Sequence, residues 1–284
     1  MTEIKHVTGT AFVVAEFRAR ENEQAHPLYL DPIVPIFLDE RTKKAADAIS
    51  ADFPAAEKNV RIRTRYLDDR LDEQLARGCR QVVILGAGLD TRGVRKQSPG
   101  VSYFEIDDAN TLSFKQARLA ERGVDAAISF IPGDYVADGV LPLLESNGFN
   151  RQLPAFFIWE GNTMYLTRTT AMSVLADLRE GMDQFNISFD YMDEAVVARA
   201  TGDPGTTTFV ERFAAMGAPW HFGLDDLNAL ADEADLSVVD GVTVAALHRA
   251  YWPDRPLESV VYQHYSLCTL SSVQPSRIAD RGAA

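Results

Sequence analysis

The chain has 284 residues, 46% of them apolar, enough to bury a full core in one domain with an elaboration. A formal net charge of −13 argues against a nucleic-acid backbone or an anionic membrane surface as the main partner, since both need clustered Lys and Arg. The two cysteines, Cys79 and Cys268, stand far apart without metal-ligand spacing, which argues against a disulfide framework and for a reducing, cytoplasmic setting.

The first residues, MTEIKHVTGT, lack a basic-then-apolar signal pattern, and the apolar run 11–15 is soon broken by Glu16 and Arg18, so no export signal is expected. An apolar span of about 18 residues, as a membrane helix requires, is absent too. Residues 10–23 read as a short amphipathic helix with Val13, Val14 and Phe17 on one side. The stretch 25–39 is punctuated by Pro27, Pro32 and Pro35 and should pack irregularly. A longer helix is expected over 55–77, with Val60, Leu67, Leu71 and Leu75 in a stripe and Gly78 as its stop. Arg63 sits on the edge of that stripe, where a guanidinium snorkels, pairs with a neighbouring carboxylate, or meets an anion.

From residue 82 strands and helices alternate: strands at 82–85, 101–106, 126–131, 154–159 and 185–191, helices at 112–122, 141–145 and 167–180. Thr167 or Thr169 is placed to cap the last of these helices. Repeated βα units imply a doubly wound sheet with right-handed crossovers. Beyond residue 191 two helical pieces (207–216 and 224–234) precede two β segments, 237–244 and 258–270. The expected organisation is a helical part over 1–78, a sheet core over 79–192, a cap insertion over 193–236, β segments over 237–270 and a flexible tail over 271–284.

The stretch VVILGAGLDTR (82–92) organises the rest. An unbroken apolar run closing in Gly86-Ala87-Gly88 suits a buried parallel strand followed by a tight turn that brings bare backbone to a ligand. Asp107, about 20 residues past the first glycine and at the end of the next strand, stands where a carboxylate takes ribose hydroxyls. A dinucleotide fingerprint wants Gly or Ala where Thr91 stands, which favours a mononucleoside over a nicotinamide cofactor. Asp134 and Glu160 follow the next two strands, so three strand ends carry acids on one rim. Such a rim suits a cationic sulfonium and disfavours a triphosphate, and no P-loop pattern is present.

Taken in order, GAGLDTR, FEIDDANTLSFKQARL, PGDY and FIWEGNTMYL resemble the leucine carboxyl methyltransferase family, in particular its bacterial S-adenosylmethionine-dependent O-methyltransferases, which include polyketide-tailoring enzymes. TAFVVAEFRARE and RTRYLDD also fit, so the resemblance spans roughly residues 8 to 270. It implies an α/β fold, a Rossmann-like methyltransferase sheet of about seven strands with the last antiparallel, and helical cap insertions. By the same resemblance, Arg63 would hold the carboxylate of the cofactor's methionine, and Gly86, Ala87 and Gly88 would form the glycine turn. Asp107 would bind the ribose, Asp134 and Tyr135 would flank the adenine, and Glu160 would lie near the methionine end. Tyr135 departs from the leucine usual in the family.

The acceptor implied is a small molecule, polyketide-like or aromatic, methylated on a carboxylate. A carboxylate is ionised at neutral pH and needs no general base. A hydroxyl acceptor would need one, and His221, His248 and His264 are the candidates, although none shows an evident partner in the sequence. No single residue stands out as catalytic, no metal site is expected, and nothing in the sequence sets an oligomeric state. Acceptor choice is expected to lie in 191–222 and 247–256, where Tyr191, Trp220, Phe222, Tyr251 and Trp252 either line an apolar pocket or seal the insertion onto the sheet. A nicotinamide oxidoreductase and a non-catalytic nucleoside-binding protein are the alternatives from other classes.

Overall fold

A computed structural model describes residues 7–215 and 217–273. Its centre is built from apolar runs too long for one-sided burial. β1 (Gln81–Leu85), β2 (Ser102–Asp107), β3 (Ile128–Pro132), β4 (Ala155–Trp159) and β5 (Phe185–Met192) are parallel, and β1 and β4 are buried at every position. β6 (Ser237–Thr243) and β7 (Tyr265–Ser271) complete a sheet of order β3-β2-β1-β4-β5-β7-β6, with β7 antiparallel to both its neighbours. This is the seven-stranded, Rossmann-like sheet expected. The strand order reverses between β1 and β4, and open α/β sheets take ligands at that point.

The helices follow in chain order as α1 (Val7–Ala19), α2 (Glu40–Asp52), α3 (Ala55–Ala76), α4 (Arg92–Arg95), α5 (Ala109–Glu121), α6 (Val140–Glu145), α7 (Arg168–Gly181), α8 (Glu194–Val197), α9 (Pro204–Ala215), α10 (Leu227–Glu233) and α11 (Val244–Tyr251). None among the described residues is long and apolar enough to cross a membrane. Alternation along β1 divides the core. Val83 and Leu85 pack with residues of α6, α7 and α10, whereas Val82 and Ile84 pack with α3 and α11. Thr167 caps α7 by accepting a hydrogen bond from the Thr170 N–H, and Gly78 stops α3 at φ +90°.

Four expectations need correction. The sequence announces no element over 40–52, where α2 forms: Ala46 is its buried residue, so there is little apolar periodicity to read, and a reciprocal Asp39–Thr42 capping box starts it. The β segment expected over 258–270 opens as a 3₁₀ turn, Val260–Gln263, and becomes a strand only at Tyr265. Residues 247–256, expected to help choose the acceptor, do not line the cleft: 247–251 belong to α11, which packs against α3. The tail expected from 271 begins later. Ser271 ends β7 and the Ser272 N–H bonds the Phe185 carbonyl at 3.0 Å, while 274–284 lie outside the described residues.

Candidate active site

Register places the site before any side chain is considered. Leu85 pairs with Ile106 and Asp107 with Pro132, so the turn after β1, the end of β2 and the loop after β3 share one rim. Gly86 and Gly88 adopt φ of +62° and +50°, a region that disfavours other residues. The Gly88 N–H donates to Asp107 Oδ2 at 2.6 Å, and the Asp108 N–H donates to Oδ1 at 2.7 Å. Burial pushes the Asp107 carboxyl up to about 6 despite those two amides. Asp134 Oδ1 accepts from the Val136 and Ala137 N–H groups at 3.0 and 3.3 Å, which shapes the loop after β3. Tyr135 turns its ring away from the rim and into the core, where its hydroxyl accepts from Trp159 Nε1 at 3.0 Å.

The other end of the rim is a dense ionic cluster. Glu160, just past β4, accepts from Arg18 Nη2 and Arg63 Nε on one oxygen, each at 2.8 Å, and from Arg92 Nη1 at 2.6 Å on the other. Burial alone would raise this carboxyl, but Arg18, Arg92 and Arg63 together hold it well below the usual range. Arg63 Nη1 also donates to Asp190 Oδ2 at 3.2 Å and to the Tyr265 hydroxyl at 2.8 Å. Arg63 therefore does pair with neighbouring carboxylates. Its Nη2 is turned toward Gly161, where a Cβ would stand 3.1 Å away, and the Gly161 N–H is held by Asp190 Oδ1 at 2.6 Å. The network continues through Arg92 to Asp90 and Asp68, and through Arg95 to Asp68 and Asp31.

Thr91, the residue that departs from a dinucleotide fingerprint, is buried and donates to Asp31 Oδ2 at 2.5 Å. It ties the turn to the N-terminal segment instead of admitting a long helix close against β1; α4 has four residues. Gly86 has a second duty besides its φ. A Cβ there would stand 2.4 Å from Asn162 Oδ1, so the space above it belongs to the Asn162 side chain. The Asn162 amide donates to the carbonyls of Leu85 at 3.2 Å and Glu160 at 2.7 Å, joining the ends of β1 and β4.

Between rim and helices runs a cleft enclosing about 990 Å³, its mouth included. Arg63, Gly86, Ala87, Gly88 and Glu160 line it; Asp107, Asp134 and Tyr135 do not, the two acids lying farther along the rim. Its far part is apolar, walled by Val13 and Val14 of α1, Ile49 of α2, Val60 of α3, and Phe209, Phe213 and Trp220. Phe53 stacks on Phe209 at 3.8 Å between centroids, and Trp220 stands 5.6 Å from Phe209 and 5.4 Å from Phe213. Of the five aromatics expected in an acceptor pocket, only Trp220 is there. Tyr191 and Phe222 pack in the core on the opposite face of the sheet, and Trp252 and Tyr251 pack under Arg61 and Arg65 of α3.

None of the three candidate bases lines the cleft. His248 is buried in α11 against Tyr262, and His221 is exposed. His264 does have a partner that the sequence did not reveal, with Nδ1 2.8 Å from Asp193 Oδ2. That pair sits one residue beyond the cleft-lining Met192 and Tyr265. Arg18, Asn162, Asp190 and Tyr265 were also missed as site residues. The signal for Arg18 was a guanidinium one residue past Phe17 on a mostly apolar helix stretch; for Asp190 it was an acid inside a buried strand.

Comparison with known proteins agrees. Residues 11–179 match the family model for leucine carboxyl methyltransferase. A protein of Streptomyces avermitilis, provisionally named an S-adenosyl-L-methionine-dependent methyltransferase, is 31% identical over 222 residues, 75% of this chain and 74% of that one. One from Mycobacterium tuberculosis with the same provisional name is 34% identical over 175 residues, 57% of this chain and 54% of its own length. Among solved structures, a duf574 family protein from Streptomyces avermitilis superimposes with TM-score 0.61 at 15% identity, covering 90% of this chain and 95% of that one. A provisionally assigned methyltransferase from Thermobifida fusca gives 0.60 at 14% identity, covering 90% and 93%. At such identities these two likenesses speak for the fold. With more than half of its length matched, the chain belongs to the leucine carboxyl methyltransferase family and is an S-adenosylmethionine-dependent methyltransferase.

Proposed function

We propose that this enzyme methylates a carboxylate on a small, largely apolar acceptor held in the chamber beyond Arg63. The bound cofactor supplies an electrophilic methyl group on a sulfonium; the residues supply binding, orientation and a dry cleft. The residues fit such a ligand. Four arginines (Arg18, Arg63, Arg92, Arg95) face five carboxylates (Asp31, Asp68, Asp90, Glu160, Asp190) in the ionic cluster, a formal excess of one negative charge. That excess suits a molecule whose ammonium and sulfonium outnumber its one carboxylate.

In this reading Arg63, fixed on two sides by Glu160, Asp190 and Tyr265, turns Nη2 to the carboxylate of the methionine part, with Arg18 beside it. Asp107 takes the ribose hydroxyls beside the Gly86-Ala87-Gly88 turn, and Asp134 and the Tyr135 backbone border the adenine. One observation carries the carboxyl assignment: none of the three histidines weighed as bases faces the cleft, and an ionised carboxylate needs no base.

A pH–rate profile at saturating cofactor, run beside alanine changes at His221, His248 and His264, tests it. Activity should persist down to about pH 6, because the nucleophile ionises far below that. An acid-side loss near pH 6.5 that vanishes with His264→Ala would reassign the reaction to a hydroxyl, with the Asp193–His264 pair as base.

A further inference from the structure

Within the apolar chamber two polar groups stand without partners. Asn59 of α3 is only 5% exposed, and its Oδ1 is buried with no hydrogen-bond partner. Trp220 is 8% exposed and its Nε1 is likewise unpartnered; the Tyr165 hydroxyl lies beside it but short of hydrogen-bonding geometry. Both side chains line the cleft. Buried polar atoms in a native fold are nearly always satisfied, because each one left bare costs the fold stability. Two side chains that line one cavity, one with a bare acceptor and one with a bare donor at its wall, point to a ligand.

Helix geometry locates the first of them. Asn59 precedes Arg63 by four residues, so it lies on the same face of α3, about 6 Å along the axis. Ala56 and Val60 line the cleft from that face too, and the aromatic wall of Phe209, Phe213 and Trp220 stands in the same chamber. The amide is thus one turn away from the methionine end, on the acceptor's side, clear of the ionic cluster.

Resting on the carboxyl reading above, we propose that Asn59 is the specificity-determining anchor of the acceptor, and that the acceptor is a ring compound bearing a hydroxyl. A hydroxyl both donates and accepts, so it complements the side-chain amide whichever way its oxygen and nitrogen point. Trp220 donates to a further oxygen on the ring, which its apolar body helps to enclose. An unsubstituted apolar acid would leave both groups bare, and the site therefore selects against it.

The test uses the full chain saturated with S-adenosylhomocysteine and three probes, 6-hydroxy-2-naphthoic acid, 2-naphthoic acid and 2-naphthol, with binding followed by calorimetry. The wild-type protein should bind the hydroxy acid at least about tenfold more tightly than the plain acid. Asn59→Leu should bring the two within about twofold while leaving the affinity for S-adenosylhomocysteine unchanged; Asn59→Ala serves if the leucine variant does not fold. Since Asn59 has no partner in the free protein, its replacement should hold or raise Tm.

The proposal is overturned by any of three results: neither acid binds or both bind equally to the wild type, the preference survives in a folded variant, or both variants lower Tm and reveal a structural role. The carboxyl reading fails separately, if 2-naphthol is turned over as well as the acids when S-adenosylmethionine is supplied.

Discussion

The two ends of the rim are built on opposite principles. At the end proposed for the nucleoside, short acids at strand ends hold local backbone: Asp107 grips the amides of Gly88 and Asp108, and Asp134 grips those of Val136 and Ala137. At the end proposed for the methionine part, Glu160 gathers arginines from α1, α3 and α4, and Arg63 is tied in turn to β5 and β7. The first end touches the fold lightly. The second is a keystone of it, joining segments more than 100 residues apart through charges that burial makes costly to leave unpaired.

Glu160→Gln should therefore have the largest effect. It leaves three buried arginines short of an anion, so the protein should lose about 3–5 kcal/mol of stability, read by urea unfolding, and cofactor binding with it. Asp107→Ala should behave differently, with the urea midpoint nearly kept and S-adenosylhomocysteine bound about 10- to 100-fold more weakly, roughly 1.5–3 kcal/mol. Equal losses of stability in the two variants would erase the distinction. A pH titration sharpens it. Burial puts the Asp107 carboxyl at about 6, so as pH falls through 6 the group takes up a proton and stops being an anionic acceptor for ribose. Affinity for the nucleoside should fall over that window in the wild type and stay flat in Asp107→Asn.

The smallest effect is expected from Arg63→Lys. Charge is kept but the fork that reaches Glu160, Asp190 and Tyr265 together is lost. S-adenosylhomocysteine should weaken about tenfold, roughly 1.4 kcal/mol, while adenosine, which has no amino-acid carboxylate, should be unaffected. Parallel losses for both ligands would make Arg63 a structural residue only.

The same division governs what could be read from the sequence. The parallel strands, the glycine turn and the acids at 107, 134 and 160 announce themselves through contiguous patterns: apolar run, glycine, carboxylate. Most of the ionic cluster does not, because its members come from α1, α3, α4, β5 and the segments at 31, 90 and 160, and most look like ordinary surface charges until the chain is folded. Arg63 shows the limit well. Its inward placement was legible from the helix stripe, but its partners Glu160 and Asp190 lie 97 and 127 residues away. The chamber proposed for the acceptor was misplaced for a related reason. Aromatic content near 191 and 251 drew attention, yet strand alternation sends Tyr191 to the far face, while α2, with hardly any apolar periodicity, supplies Ile49.

The Asn162 side chain seated over Gly86 has a bearing on how this enzyme could diverge. By bridging the carbonyl ends of β1 and β4 it clamps the crevice where the strand order reverses, so the floor of the cleft has a set width. Adaptation to a new acceptor then falls to the roof, to Val13 and Val14 of α1 and to α2 and α9, whose apolar side chains face the chamber. Floor and roof can drift at separate rates. A lineage could exchange Phe209, Phe213 or Trp220 for other shapes and acquire new acceptors with its methyl-donor chemistry undisturbed.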